Sequence, residues 1–62
     1  MVRIVSIEEN GDGHDVVLEE DGVQVCGTEV DWHGVDDEDE LAGLFEEWLE
    51  LADDGDENFE RL

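Results

Sequence analysis

The sequence predicts an α+β domain in which a three-stranded antiparallel β-meander packs on one C-terminal amphipathic helix, in the order β-β-β-α. Three observations predict it. Short runs rich in β-branched residues are separated by glycine-containing turn sequences, apolar residues recur at spacings of three and four in the C-terminal half, and 62 residues suffice for one small domain. Residues 1–62 are therefore expected to form a single domain.

The three strands are predicted at about residues 2–8, 14–20 and 23–30. The first turn is the segment Asn10-Gly11-Asp12-Gly13, which is made of turn-forming residues. The second is Asp21-Gly22, a dipeptide favoured in two-residue type I′ loops because both central positions need a positive φ.

The turns also set the register, because a slip of one residue would turn every side chain to the other face. Asp21-Gly22 sets Leu18 opposite Val25. A four-residue first loop sets Val5 opposite Leu18 and Ile7 opposite Val16, whereas a two-residue Asn10-Gly11 loop is the alternative. The inner face predicted from the first choice consists of Val5, Ile7, Val16, Leu18, Val23 and Val25.

Gly27 stands where the third strand loses its alternating pattern. Odd positions are apolar before it, and the even positions Val30 and Trp32 are apolar after it. A β-bulge at Cys26-Gly27 would restore the phase.

A helix is predicted over about residues 37–54. Asp37 followed by Glu40 has the spacing of a capping box, the acidic residues beside them favour a helix N-terminus, and Gly55 is suited to the left-handed position that ends a helix. Phe59 and Leu62 are expected to anchor the tail, residues 55–62. The apolar face of the helix consists of Leu41, Leu44, Phe45, Trp48, Leu49, Leu51 and Ala52.

One helix leaves the second face of the sheet uncovered. The candidate interface residues are Val2, Ile4, Val17 and Cys26 on that face, together with Trp32 at the exit of the third strand. A domain of this size buries only about 60% of its unfolded surface, so a partner subunit would add stability. We therefore expect a homodimer, formed through the second face or through an edge strand that pairs with its symmetry mate.

The charge is extreme: 22 acidic residues against two basic ones give a formal net charge of -20. Acidity of this kind is typical of disorder, but the 39% of apolar residues follow strand and helix patterns. In molar salt the Debye length falls to about 3 Å, so neighbouring carboxylates hardly repel. We interpret the acidic surface as an adaptation to concentrated salt. The composition resembles that of proteins from extremely halophilic archaea, a resemblance to a proteome and not to a family.

The same charge argues against direct nucleic-acid binding, because phosphate contacts come from Lys and Arg. The longest apolar stretch is Val16-Val17-Leu18, so neither a membrane span nor a secretory signal is predicted. The single cysteine, Cys26, fits a reducing compartment. We expect a cytoplasmic protein.

Residues 8–19 nearly match a calcium-binding loop, in which the ligands would be Glu8, Asn10, Asp12 and Glu19. The first ligand is Glu rather than Asp, and the flanking segments are strands rather than helices. A hairpin loop lined with solvated carboxylates is the preferred interpretation.

Cys26, His33 and His14 are the weak candidates for a transition-metal or redox site. Zinc needs three or four converging ligands, and neither a CxxC nor an HxxxH spacing occurs. The many anions also disfavour a reactive thiolate at Cys26. The sequence therefore predicts no metal and no cofactor.

No catalytic residue is predicted. The expected function is that of a non-enzymatic, salt-adapted cytoplasmic module that binds protein partners. The alternatives are a small metal- or redox-binding protein that uses Cys26 with a histidine, and an enzyme subunit whose pocket forms at the dimer interface.

Overall fold

The computed structural model describes residues 1–32, 34–35 and 37–62. Within these residues, a four-stranded antiparallel sheet has the order β1-β2-β3-β4 and carries one helix. The elements are β1 (Arg3–Asn10), β2 (Gly13–Glu20), β3 (Val23–Glu29), α1 (Glu38–Asp53) and β4 (Phe59–Arg61). The α+β class with one helix on an antiparallel sheet is confirmed. The strand count was wrong, because there is a fourth strand, and the helix precedes that strand rather than ending the chain.

The first hairpin has a shorter loop than predicted. Asn10 pairs with Gly13, so the loop consists of the two residues Gly11 and Asp12. Gly11 has a φ of 63°, which is the geometry of a type II′ turn with glycine at its first central position.

The second hairpin follows the prediction. Asp21 and Gly22 have φ values of 51° and 82°, as a type I′ turn requires. This turn pairs Leu18 with Val25, and the β2–β3 register is regular from His14 to Glu20. The bulge predicted at Cys26-Gly27 was therefore wrong: β3 ends at Glu29, so Val30 and Trp32, whose even positions suggested the bulge, do not belong to this strand.

A bulge lies instead in β1. Ile4 pairs with Leu18 and Ser6 pairs with Val17, which leaves Val5 as the extra residue. The predicted pairing of Val5 with Leu18 was therefore wrong, although Ile7 pairs with Val16 as predicted.

The bulge changes the face on which the start of β1 lies. Ile4 shares the helix side of the sheet with Leu18, and Val2 is only 5% exposed. Both residues were predicted on the second face. Val2 belongs to the core and Ile4 packs against it.

The core lies between the sheet and α1, and its buried residues are Val2, Val16, Leu18, Val25, Leu41, Phe45 and Trp48. Three residues of the predicted inner face are partly exposed instead, namely Val5 (40%), Ile7 (44%) and Val23 (37%). For Val5 and Ile7 the reason is that α1 packs against β3 and β4, which leaves β1 with less cover, whereas Val23 is the first residue of β3, next to the Asp21-Gly22 turn.

Both helix ends were predicted from local residues. The Asp37 carboxylate accepts a hydrogen bond from the Asp39 N–H at 3.0 Å. At the other end Gly55 has a φ of 83°, and its N–H donates to the Ala52 carbonyl at 3.1 Å. The Asp56 N–H donates to the carbonyl three residues before the cap, which completes a Schellman motif and turns the chain back to the sheet.

The predicted tail forms β4. Phe59 pairs with Gly27 and packs against the core, whereas Leu62 is exposed. A strand of 3 residues is too short to display an alternating pattern, so the sequence contained no strand signal there.

Candidate functional site

The side of the sheet opposite α1, which we call the open face, is the candidate functional site. Its residues follow from the register, because side chains alternate between the two faces of each strand. They form cross-strand rows and are Arg3, Ser6, Glu8, Asp15, Val17, Glu19, Gln24, Cys26, Thr28 and Glu60.

Glu19 is held by donors from both neighbouring strands. Arg3 Nε donates to Glu19 Oε1 at 2.8 Å, and Gln24 Nε2 donates to Glu19 Oε2 at 2.9 Å. The hydrogen bond from Gln24, followed by that from Arg3, lowers the pKa of the Glu19 carboxyl from its ordinary value. The two hydrogen bonds therefore orient this carboxylate, and its lowered pKa keeps it charged at neutral pH.

Asp15 has the same arrangement further along β2. Asn10 Nδ2 donates to Asp15 Oδ2 at 3.1 Å, and Thr28 Oγ1 donates to Asp15 Oδ1 at 3.0 Å. Two carboxylates on one strand are thus each oriented by two side chains from the flanking strands.

Cys26 and Val17 pair with each other between these two carboxylates, and both are half-buried. Burial raises the pKa of the Cys26 thiol, and the negative charges of Asp15, Glu60 and Glu8 raise it further. The thiol is therefore protonated at neutral pH and behaves as a small apolar group with a weak donor.

Of the predicted interface residues, Val17 and Cys26 lie together on the open face, whereas Val2 and Ile4 do not. Trp32 is half-buried and packs on Trp48, with ring centroids 6.1 Å apart and an interplanar angle of 54°. Trp32 is therefore part of the structure that closes the core.

The predicted transition-metal candidates do not converge. His14 lies on the helix side of β2, because it shares the parity of the buried Val16, whereas Cys26 lies on the open face. His33 lies outside the described residues. Within the described part of the chain, His14 Nδ1 and Trp32 Nε1 are buried without a hydrogen-bond partner.

The four weak candidates for calcium ligands are also separated. Glu8, Asn10 and Asp12 lie near the first turn, whereas Glu19 lies toward the other end of β2 and pairs with Arg3. At about 3.4 Å per residue, the six residue steps from Gly13 at the turn to Glu19 span about 20 Å.

No cavity for a small molecule and no group of three metal-ligating side chains occurs among residues 1–32, 34–35 and 37–62. In the same part of the chain, no helix has the length and apolar character needed to cross a bilayer.

The sequence places Asp15 and Glu19 on the second face of the sheet, but their orientation by side chains of the neighbouring strands was not predicted. A usable signal was present, because the Asp21-Gly22 register already places Glu19 opposite Gln24 and Asp15 opposite Thr28. The fold and this face define the chain as a small α+β domain with an open, polar-framed sheet. No family model, curated protein or solved structure matches it.

Proposed function

We propose that this chain is a salt-adapted, non-enzymatic domain that acts in the cytoplasm by binding proteins, and that it is a homodimer. The observation that carries the proposal is the open face. Its centre is the half-buried pair Val17 and Cys26, and its frame is formed by the oriented carboxylates of Asp15 and Glu19. A small apolar centre with a polar rim is typical of protein–protein contact surfaces.

The orientation of the two carboxylates supports binding rather than general solvation. A side chain that is already held by hydrogen bonds loses little conformational freedom when a partner contacts it. Asp15 and Glu19 each have both carboxylate oxygens engaged from neighbouring strands. A partner with donors at matching positions would therefore meet a preformed surface.

The non-enzymatic part of the proposal is supported by the chemistry of Cys26. Its raised pKa works against a nucleophilic thiolate at neutral pH. A reduced, half-buried thiol also fits the reducing conditions of the cytoplasm.

Salt adaptation is supported by how few carboxylates have a cationic partner. The ion pairs in the described part of the chain join the Met1 amino group to Glu20, Arg3 to Glu19, and Arg61 to Asp53. Most of the 22 acidic residues therefore depend on solvent ions to reduce their mutual repulsion.

The test is affinity capture from native lysate at molar salt, with three immobilised chains. Val17→Lys places a charge in the centre of the open face, and Val30→Lys is the matched control, since Val30 is 67% exposed and lies outside the sheet. We expect a reproducible partner on the wild-type chain and the control, and its loss on Val17→Lys. Equal capture by all three chains, or no partner on any of them, would contradict the proposal.

A further inference from the structure

We infer that the homodimer forms by antiparallel pairing of β1 with β1 of a second copy. This inference deepens the proposed homodimer by naming its surface. The sheet order β1-β2-β3-β4 leaves β1 at one edge. β1 has 8 residues, whereas β4 at the opposite edge has 3, so β1 is the longer edge available to a partner strand.

The free backbone groups of this edge follow from the first turn. The two-residue loop makes Asn10–Gly13 and Glu8–Asp15 hydrogen-bonded pairs. The residue between them, Glu9, therefore directs its N–H and carbonyl groups away from β2, and Ile7 does the same one pair further on. These are the groups that a second β1 strand would engage.

The edge also exposes apolar side chains that the fold leaves uncovered. Val5 is 40% exposed and Ile7 is 44% exposed, because α1 packs over β3 and β4, toward the edge of the sheet opposite β1. Antiparallel pairing would bring the Val5 and Ile7 segments of the two copies beside each other and remove them from water.

The charges on β1 favour a second copy of this chain as the partner of the β1 edge. β1 carries Arg3 near its start and Glu8 and Glu9 near its end. Arg3 and Glu8 both lie on the open face, so antiparallel pairing brings Arg3 of each copy toward Glu8 of the other, whereas parallel pairing would set like charges together. Arg3 bonds Glu19 through Nε and Nη2 but remains 63% exposed, so it has further N–H groups for a partner.

The resulting assembly is closed. A two-fold axis at the β1–β1 contact joins two four-stranded sheets into one, and only the short β4 strands remain as edges. The bulge at Val5 and the charges at the ends of β1 are features that restrict indiscriminate edge pairing, and they leave the complementary self-pairing available. The open face stays accessible for another protein.

The test is the oligomeric state in molar NaCl, measured by light scattering and sedimentation equilibrium. We expect a dimer for the wild-type chain and for Val30→Lys, and a monomer for Ile7→Lys, which places a charge at the contact. Circular dichroism checks that each variant is folded. A monomeric wild-type chain, or a dimer that Ile7→Lys leaves unchanged, would overturn the inference.

A charge exchange tests the orientation and does not depend on the folding of Ile7→Lys. Arg3→Glu is expected to weaken the dimer only about two- to threefold in molar NaCl, because two symmetry-related attractions become repulsions that the salt largely screens. Arg61→Glu, which removes the other arginine from its pair with Asp53, is the control and leaves the dimer unchanged. The double variant Arg3→Glu/Glu8→Arg, whose two positions lie on the same face, restores dimerisation, and failure to restore it would exclude the antiparallel contact.

The outcome is separable from that of the protein-binding proposal. A dimer lost in Val17→Lys but kept in Ile7→Lys would assign self-association to the open face and overturn this inference alone. A monomeric wild-type chain that still captures a partner through Val17 would overturn this inference and the proposed homodimer, but would leave the protein-binding proposal standing.

Discussion

Glu19 is a residue whose titration reports directly on the open face. Gln24 and Arg3 both donate to its carboxylate, and both donors favour the charged form. Its pKa is accordingly below the ordinary value of 4.5. A lowered folded-state pKa contributes stability that is present above 4.5 and is lost as the pH falls through the folded value.

Gln24→Ala is expected to raise the pKa of Glu19 toward its ordinary value, because the largest cause of the lowering is removed. The measurement is an NMR titration of the side-chain carboxyl carbon at constant molar salt. The variant should also lose less stability on acidification than the wild-type chain. An unchanged Glu19 titration in Gln24→Ala would show that the cross-strand bond is not formed in solution.

Cys26 provides a second residue-scale test. Its thiol pKa is raised by burial and then by the negative charges of Asp15, Glu60 and Glu8. The thiol is therefore expected to alkylate more slowly than a free cysteine at about pH 8. Glu60→Gln should speed the reaction, because Glu60 pairs with Cys26 across β3 and β4.

The control for the alkylation experiment is Glu57→Gln, which removes the same charge from an exposed position before β4. It should leave the rate near that of the wild-type chain. Equal acceleration by both substitutions would mean that overall charge, rather than the local position of Glu60, governs the thiol.

At the scale of the elements, Gly27 of β3 lies where side chains of α1 and β4 pack against the sheet. A Cβ at this position would lie 2.8 Å from Trp48 Cε3, 2.9 Å from Trp48 Cδ2 and 3.0 Å from Phe59 Cδ1. Trp48 and Phe59 also pack on each other, with ring centroids 5.7 Å apart. The absence of a side chain at Gly27 therefore allows α1 and β4 to meet over β3.

Gly27→Ala is expected to reduce the free energy of unfolding by about 1 to 3 kcal/mol, because two aromatic rings must move. The matched control is Gly43→Ala in α1, where nothing lies within 4 Å of an added Cβ. That change should stabilise by about 0.5 to 1 kcal/mol through helix propensity. Urea unfolding at constant molar salt measures both. A Gly27→Ala chain as stable as the wild type would contradict the close packing.

At the scale of the whole molecule, we expect the net charge of -20 to oppose folding unless salt screens it. We expect the circular dichroism signal of the folded state to be lost as NaCl is lowered from molar to about 0.1 M, because the Debye length grows from about 3 to about 10 Å. Sucrose at matched osmolality is the control. It carries no charge and cannot screen the carboxylates, so we expect it not to restore the folded-state signal. Full structure at low salt would contradict adaptation to concentrated electrolyte.

Local chemistry explains the parts of this protein that its sequence alone determined. The Asp21-Gly22 turn, the Asp37 cap and the Gly55 terminus each depend on backbone preferences within a few residues, so the register between β2 and β3 and the two ends of α1 could be predicted. The buried side of the helix follows in the same way from its apolar periodicity.

The tertiary structure decided what depends on contacts between distant segments. The bulge at Val5 brings Val2 and Ile4 to the helix side, and β4 exists because Phe59 packs on Trp48 above Gly27. Neither the bulge nor β4 can be recognised from the neighbouring sequence. A single extra residue leaves the composition of β1 unchanged, and a strand of three residues is too short to show an alternating pattern. Their free energy comes from packing that forms only when the sheet, the helix and the C-terminal segment are already together.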